Sequence, residues 1–214
     1  MVKKEERKEE VSKEESKLKP AKKNYYSNIL QITLIVAFFI LILVFSLYFS
    51  VKASSNYNYN GIDFKTVQEG ELILYQTAIP VMHKGSLTPY NFYLRTSPKE
   101  LEKVDADFEN FELMDLTAWN FEGDISCEGY GVIAMENLRI LHNVTEMTFI
   151  RDDNATCDSQ GRYNFIHIKE GSSNKITETG NNCYEITFKD CEILKPTERY
   201  FLEVLTKLKE INLI

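Results

Sequence analysis

The sequence predicts an α+β protein, a mixed sheet of short strands with two packed helices, placed behind one N-terminal transmembrane helix. Three observations predict it. Residues 29–51 form a long uncharged apolar run. Short segments rich in β-branched and aromatic residues recur after residue 61. Two later segments carry apolar side chains at the spacing of a helix face.

Residues 29–51, "ILQITLIVAFFILILVFSLYFSV", contain no charged side chain. About 20 apolar residues carry a helix across the hydrocarbon core of a bilayer. Residues 1–28 hold nine Lys/Arg and six Asp/Glu, whereas only Lys52 follows the run before Lys65. Because basic residues beside a span tend to stay cytoplasmic, the N-terminus is predicted inside the cell and the chain after residue 51 outside, on the cell membrane.

A signal peptide cleaved after Ala53 is the alternative, because Val51-Lys52-Ala53 resembles a cleavage site. The apolar run is longer than the roughly 7 to 15 residues of a secretory signal, which favours an uncleaved signal anchor. The sequence is accordingly divided into a disordered, charged cytoplasmic tail at 1–28, the anchor at 29–51, a linker at 52–61 and an extracytoplasmic domain at 62–214.

In the first half of that domain, four segments read as strands because they are rich in β-branched and aromatic residues. The segment "HKGSLTP", at 83–89, supplies Gly and Pro for a hairpin turn between the second and third of them. The four predicted strands are 62–67, 71–82, 90–97 and 111–120.

In the second half, a helix is predicted at about 131–144, and a final helix is predicted to begin at Pro196. The first helix links the strand signal before it to the one after it, which predicts a βαβ unit. "EGSSN" predicts a hairpin between 164–169 and 175–179. The four predicted strands of this half are 146–152, 164–169, 175–179 and 183–190.

Four cysteines, all after the membrane segment, are typical of a disulfide framework; they are Cys127, Cys157, Cys183 and Cys191. An extended strand from Cys183 to Cys191 spans about 26 Å, whereas bridged Cα atoms lie within about 7 Å. Two pairings therefore stay open, Cys127–Cys191 with Cys157–Cys183 or Cys127–Cys183 with Cys157–Cys191, and the first is preferred. The closely spaced cysteine pairs typical of a zinc site are missing from the sequence, so no metal is predicted.

The net charge of the predicted outer domain bears on the class of partner that it can bind. Residues 52–214 hold 16 Lys/Arg and 26 Asp/Glu, a net charge of −10. Because cations drive phosphate binding, nucleic acid is excluded as a partner.

Two Asn-x-Thr tripeptides lie on the predicted outer side, at Asn143 and Asn154. Both asparagines are expected to be exposed and able to carry glycans. A calcium loop through Asp152, Asn154, Thr156 and Asp158 is the weaker interpretation, because Cys157 stands where such a loop needs Gly and Tyr163 where it needs a bidentate Glu.

No catalytic residues are predicted. The three histidines lie far apart, and His167 reads as a partly exposed strand residue. Glu122, Asp124 and Glu128 could supply the paired carboxylates of glycoside chemistry. Such a pair is defined by the distance between the two groups, which only the fold can set. Trp119 lies among apolar neighbours and reads as a core residue rather than a platform for a sugar ring. No cofactor is expected.

Four segments carry a resemblance: "YNFYLRTSPKELEKV", "ATCDSQGRYNFIHIKEG", "ITETGNNCYEITF" and "ERYFLEVLTKL". In this order behind one span, the chain resembles uncharacterised single-pass envelope proteins of small-genome archaea, over about residues 60–210. The resemblance implies an anchored outer domain with cysteines in its second half, and no known activity.

The function expected from the sequence is a membrane-anchored outer domain without catalytic activity. It is expected to bind or assemble with other envelope proteins or surface polymers. The alternative is a surface hydrolase or transferase whose acidic site is assembled only in the fold.

Overall fold

The computed structural model describes residues 19–53, 56–83 and 85–211. It divides the chain into two units, residues 1–54 and 55–214. The predicted disorder of residues 1–18 lies outside the described residues.

The first unit contains one helix, α1 (Lys19–Ala53). Its segment Ile29–Ser46 has a mean hydropathy of 2.8 and is long and apolar enough to cross a membrane. The hydroxyl of Thr33 donates to the carbonyl oxygen of Ile29 at 2.7 Å, so this polar group is satisfied within the helix.

The second unit confirms the predicted α+β class, with two sheets and helices between and beside them. The first sheet is formed by β1 (Asn56–Tyr59), β2 (Ile62–Glu69), β3 (Leu72–His83) and β4 (Ser86–Leu94). The second contains β5 (Asp105–Ala106), β6 (Leu116–Glu122), β7 (Thr148–Arg151), β8 (Asn164–Glu170), β9 (Lys175–Gly180) and β10 (Cys183–Phe188). The helices are α2 (Pro98–Leu101), α3 (Tyr130–Val144) and α4 (Leu194–Glu210), with a 3-10 turn at Cys127–Gly129 before α3.

The first sheet is antiparallel, in the order β1-β2-β3-β4. It begins inside the range 52–61 that the sequence assigns to a linker. Asn60 and Gly61 both have positive φ, 47° and 81°, as a two-residue hairpin turn requires. The amide of Gly61 donates to the side chain of Asn58, which fixes the turn. The Asn-Gly pair is the signal that the linker interpretation overlooks.

The hairpin of β3 and β4 is tighter than the sequence predicts. Strand pairing continues to His83 and Ser86, so most of the predicted turn 83–89 is strand. Pro80 lies opposite Pro89 in this ladder. Because neither proline nitrogen carries a proton, the two residues cannot exchange hydrogen bonds. They form a non-hydrogen-bonded antiparallel pair, in which the backbone nitrogen and carbonyl of each residue point away from the other strand. The nitrogen of Pro89 therefore faces the free edge of β4.

The second sheet is mixed, in the order β5-β9-β10-β8-β6-β7. β6 and β7 are parallel and joined by α3, which confirms the predicted βαβ unit. The predicted hairpin of 164–169 with 175–179 is wrong, because β10 lies between β8 and β9 and pairs parallel to β8. The hairpin is β9 with β10 instead. Asn182, with φ 56°, supplies the left-handed residue of its turn.

Helix α4 lies between the two sheets. Tyr200 packs towards Tyr184 of β10, with ring centroids 6.2 Å apart, and Phe201 packs edge-on against Phe92 of β4 at 5.2 Å. Because α4 buries opposite faces, its apolar surface is wider than a single stripe. It begins at Leu194 rather than at the predicted Pro196. A proline in the first turn is tolerated there because the first four amides of a helix lack intrahelical partners.

Only the second part of the predicted strand 111–120 is a strand. Residues before Leu116 are held by two buried asparagine side chains instead of a neighbouring strand. Asn164 accepts from the amide of Met114 at 2.9 Å and donates to the carbonyl of Glu112 at 2.8 Å. Asn182 accepts from the amide of Glu112 at 3.2 Å.

Candidate binding cleft

A cleft of about 540 Å³ opens between α3 and the β6–β7 end of the second sheet. Its position follows from the βαβ unit, in which the crossover helix covers one face of its two parallel strands. Alternation along β6 points Thr117, Trp119 and Phe121 to the face that α3 covers. The hydroxyl of Thr117 lies 3.2 Å from Nε2 of His142 on α3, which confirms that this face of β6 points towards α3.

The floor of the cleft is a ladder of stacked rings. Trp119 stacks on Phe149 of β7, with centroids 5.7 Å apart and planes 16° apart. Trp119 also stacks with Phe121, with centroids 6.3 Å apart and planes 27° apart. The guanidinium of Arg151 lies over the ring of Phe121, 4.5 Å from the centroid. The three rings and this guanidinium therefore form one continuous aromatic and cationic surface along the cleft.

The buried end of the ladder is His142, whose ring lies 4.8 Å from that of Phe149. Nδ1 of His142 lies 2.8 Å from the carbonyl oxygen of Leu138, and Nε2 lies 3.2 Å from the hydroxyl of Thr117. An Nδ1 proton donated to that carbonyl leaves Nε2 as acceptor, so a neutral ring is fully satisfied. Burial lowers the pKa of His142 to about 4, and the Leu138 carbonyl opposes this shift only in part. His142 therefore supports the floor as a neutral ring.

The charged groups at the rim have hydrogen-bonding partners within the protein. Arg139 on α3 forms two hydrogen bonds to Glu136, at 2.6 and 2.7 Å, which hold the pKa of Glu136 below its usual value. Arg151 forms two bonds to Asp153, at 2.9 and 3.1 Å. The carboxylate of Asp124 accepts from the amide of Ser126 at 2.8 Å, which lowers the pKa of Asp124. Each of these charged groups at the rim therefore has a hydrogen-bonding partner within the protein.

The wall at the start of α3 depends on close backbone packing. A Cβ on Gly131 would collide with the carbonyl oxygen of Ile125, so only glycine lets the two segments meet. The residues before α3 are left-handed, with φ of 42° at Cys127, 55° at Glu128 and 96° at Gly129. Non-glycine residues enter this region at a cost of roughly 1 kcal/mol or more, so the turn needs outside support. The disulfide from Cys127 to Cys191 ties it to the segment before α4.

Strand β7 is an edge of the second sheet, and its free edge borders the cleft. The amide of Thr148 donates to Asp115 and that of Asp152 to Trp119, so alternate residues of β7 direct their backbone groups at β6. In a parallel ladder the residues between them, Phe149 and Arg151, direct their amide and carbonyl groups away from it. The same two residues contribute side chains to the cleft.

The structure places the four cysteines in two pairs. Cys127 is bonded to Cys191, with Cα atoms 5.1 Å apart, and Cys157 to Cys183, with Cα atoms 5.5 Å apart. This is the pairing preferred from the sequence. The second disulfide lies on the sheet face opposite the cleft, near the cluster of Ala118 and Phe165.

Both predicted glycosylation sites are exposed, Asn143 in the last turn of α3 and Asn154 in the loop after β7. The carboxylates around Asn154 have partners within the protein. Asp152 accepts from the amide of Asn154 at 2.9 Å, and Asp158 pairs with Arg162 at 2.8 Å. Arg162 lowers the pKa of Asp158 to about 2. Within the described ranges, no group of three His, Cys, Asp or Glu side chains is placed to share a metal ion.

The other residues considered from the sequence do not meet in one site. Asp124 lies at the cleft, and Glu128 lies in a separate hollow beside Cys191. Glu122 lies 3.8 Å from Nε2 of His167, whose Nδ1 is 2.7 Å from the side-chain oxygen of Asn120 across the neighbouring strand. His167 is thus partly buried in the sheet, as its strand position predicts.

Sequence reasoning missed the ladder because its members lie far apart in the chain. Trp119 alone reads as a core residue, and its half-burial fits that only in part. The signal that identifies the ladder is the βαβ unit combined with alternation, which puts Trp119 and Phe121 on one face and Phe149 beside them. The sugar-platform interpretation of Trp119 loses support, because the indole stacks with two rings of the protein, Phe121 and Phe149.

Comparison with known proteins assigns neither a family nor a function to this chain. No family model, no curated protein and no solved structure matches this chain. Function is therefore inferred from the cleft and from the free strand edge beside it.

Proposed function

We propose that this chain is a membrane-anchored binding domain without catalytic activity, which holds another envelope component in the cleft between α3 and β7. The observation that carries the proposal is the cleft itself, a concave apolar surface with a few polar groups at its rim. Its charged side chains already have hydrogen-bonding partners within the protein, which suits binding better than proton transfer.

The proposed orientation places the N-terminus in the cytoplasm and the second unit outside, with α1 retained as the anchor. The basic flank before the apolar segment supports it. Two disulfides support it independently, because such bonds persist in oxidising compartments. The exposed Asn143 and Asn154 are proposed glycan sites, and the resemblance favours an archaeal envelope as the setting.

The test is photo-crosslinking of the full chain in its native membrane. p-Benzoylphenylalanine replaces Val132, an exposed residue of the cleft wall, and in a matched chain replaces Ile73. Ile73 is also exposed, but it lies on β3 of the first sheet and does not line the cleft.

The expected result is one identified adduct from the Val132 probe that is absent from the Ile73 probe. The same adducts from both positions, or none from Val132, would overturn the proposal.

A further inference from the structure

The free edge of β7 and the cleft share two residues. Phe149 and Arg151 line the cleft with their side chains and direct their backbone amide and carbonyl groups away from β6. Both residues have these groups at the exposed side of the sheet, since β7 is its last strand. Two complementary features, a row of backbone hydrogen-bonding groups and an apolar hollow, therefore lie next to each other.

We propose that the occupant of the cleft is an extended peptide segment of a partner protein, which adds to β7 as a further strand and places an aromatic side chain in the cleft. This inference rests on the proposed binding role of the cleft and specifies the mode of binding. Strand addition draws affinity from main-chain hydrogen bonds and specificity from pockets for alternate side chains.

The register of such a strand follows from sheet geometry. Residues that face each other on neighbouring strands point their side chains to the same face. A peptide residue opposite Phe149 or Arg151 therefore points towards α3 and into the cleft. Its neighbours in the peptide point to the face that carries Ile150, which is 42 % exposed and leaves them room.

The electrostatics of the cleft favour an aromatic side chain over other apolar groups. Aromatic rings pair favourably in stacked or edge-to-face arrangements, and Trp119, Phe121 and Phe149 all line the cleft. Arg139 of α3 and Arg151 of β7 also line it, and a guanidinium attracts the negative face of an incoming ring. The thioether of Met135, also in the lining, is a further favourable contact for an aromatic ring.

The same electrostatics disfavour a charged side chain. Each arginine at the rim already has a carboxylate partner, Glu136 for Arg139 and Asp153 for Arg151. A peptide carboxylate would have to displace one of these partners, and a peptide ammonium would face both guanidinium groups. A neutral ring leaves both pairs in place.

The experiment uses the full chain in detergent micelles and a displayed library of random nine-residue peptides. Enriched peptides are synthesised with blocked ends, and their binding is followed by the emission of Trp119, the single tryptophan of the chain and part of the cleft floor. Each peptide is also made with single N-methyl groups along its backbone, which remove one amide donor at a time and leave the protein unchanged.

The expected result has two parts. Enriched peptides share an aromatic residue at one position, and N-methylation weakens binding by about tenfold or more at alternate amides only. An enriched set without an aromatic residue, or an effect of methylation that does not alternate, would overturn the inference.

Two variants test the same point from the side of the protein. Arg151→Pro removes an outward amide without removing a bond to β6, whereas Arg151→Ala keeps the amide and loses the same side chain. Peptides are expected to bind Arg151→Pro more weakly than Arg151→Ala, and to bind Ile150→Ser like the unsubstituted protein. Equal binding to the two Arg151 variants would also overturn the inference.

Failure here is separable from failure of the proposed function. If the Val132 probe captures a partner while no peptide binds with alternating sensitivity to methylation, the cleft is a binding site of another kind. If the Val132 probe captures nothing, the binding role itself fails.

Discussion

The buried side chain of Asn164 supplies hydrogen bonds that a neighbouring strand would otherwise make to the backbone of the segment before β6. It satisfies one amide and one carbonyl of that segment, at Met114 and Glu112, and is itself fully buried. Replacing it with alanine leaves both backbone groups without a partner. Each buried group that loses its bond costs about 1 to 3 kcal/mol.

We therefore expect Asn164→Ala to lower the free energy of unfolding by about 2 to 4 kcal/mol, measured by urea denaturation of the full chain in micelles. The control is Asn110→Ala, because Asn110 is exposed and contacts Glu178 only at 3.4 Å. A similar change for both variants would show that the bonds of Asn164 are not the cause.

Gly180 stands against the disulfide between Cys157 and Cys183. A Cβ at this position would lie 2.8 Å from the sulfur of Cys157, closer than real Cβ contacts allow. Gly180→Ala is expected to destabilise the protein by about 1 to 3 kcal/mol, as other overpacked positions do.

A double-mutant cycle tests the source of that effect. In a chain with Cys157→Ala and Cys183→Ala, the clash is gone, and the same glycine substitution should change the free energy of unfolding by less than about 1 kcal/mol. A penalty of the same size in both backgrounds would place the cause elsewhere.

At the scale of elements, the two disulfides should differ in their net effect on stability. Loop length alone favours Cys127–Cys191, which closes 64 residues against 26 for Cys157–Cys183, about 4.3 against 3.5 kcal/mol. The first bridge, however, joins two turns in which Cys127, Glu128, Asp190 and Cys191 are all left-handed, and we expect these turns to relax when the bridge is removed. At roughly 1 kcal/mol each, their relaxation offsets most of the gain.

Replacing both Cys127 and Cys191 with alanine is therefore expected to cost less stability than replacing both Cys157 and Cys183. Denaturant unfolding of the two double variants measures the difference. A larger loss for the first pair would mean that the left-handed turns persist without the bridge.

Elements with local signals could be predicted, and elements set by distant partners could not. The βαβ unit follows from periodicities within 111–152, and the helices α3 and α4 follow from their apolar stripes. The placement of β10 between β8 and β9 has no local signal, because β8 is buried on both faces and its neighbours are chosen by the whole sheet. The ring ladder depends on that same assembly.

At the scale of the whole molecule, two buried groups with opposite pKa shifts act on stability in the same pH range. Burial raises the pKa of Glu198 to about 7, although the amides of Arg95 and Thr96 donate to its carboxylate at 2.7 and 2.9 Å and oppose the shift. Burial lowers the pKa of His142 to about 4. The first group lies on α4 and the second on α3.

Each group gives stability a slope of about 1.4 kcal/mol per pH unit, and the signs differ. Between about 4.5 and 7 the folded chain holds a proton on Glu198 that the unfolded chain lacks, so stability falls as pH rises. Between about 4 and 6.5 the unfolded chain holds a proton on His142 that the folded chain lacks, so stability rises with pH.

The two slopes are expected to cancel between about pH 4.5 and 6.5, and single variants should reveal each of them. The stability of Glu198→Gln should rise with pH across this range, and that of His142→Gln should fall, by about 3 kcal/mol in all over each full window. Denaturant unfolding at several pH values measures both. Parallel profiles for the two variants would contradict the assignment.

The pair of prolines in the β3–β4 hairpin matters most for a chain held in a membrane. A membrane anchor at α1 would confine the second units of neighbouring chains to a plane, where they meet at an effective concentration far above that in solution. A long open edge such as β4 would then favour pairing of a sheet in one chain with a sheet in the next. Because the nitrogen of Pro89 faces outward, a neighbouring strand cannot form hydrogen bonds along the full length of β4. The prolines thus limit association through β4 under the crowding that a membrane imposes.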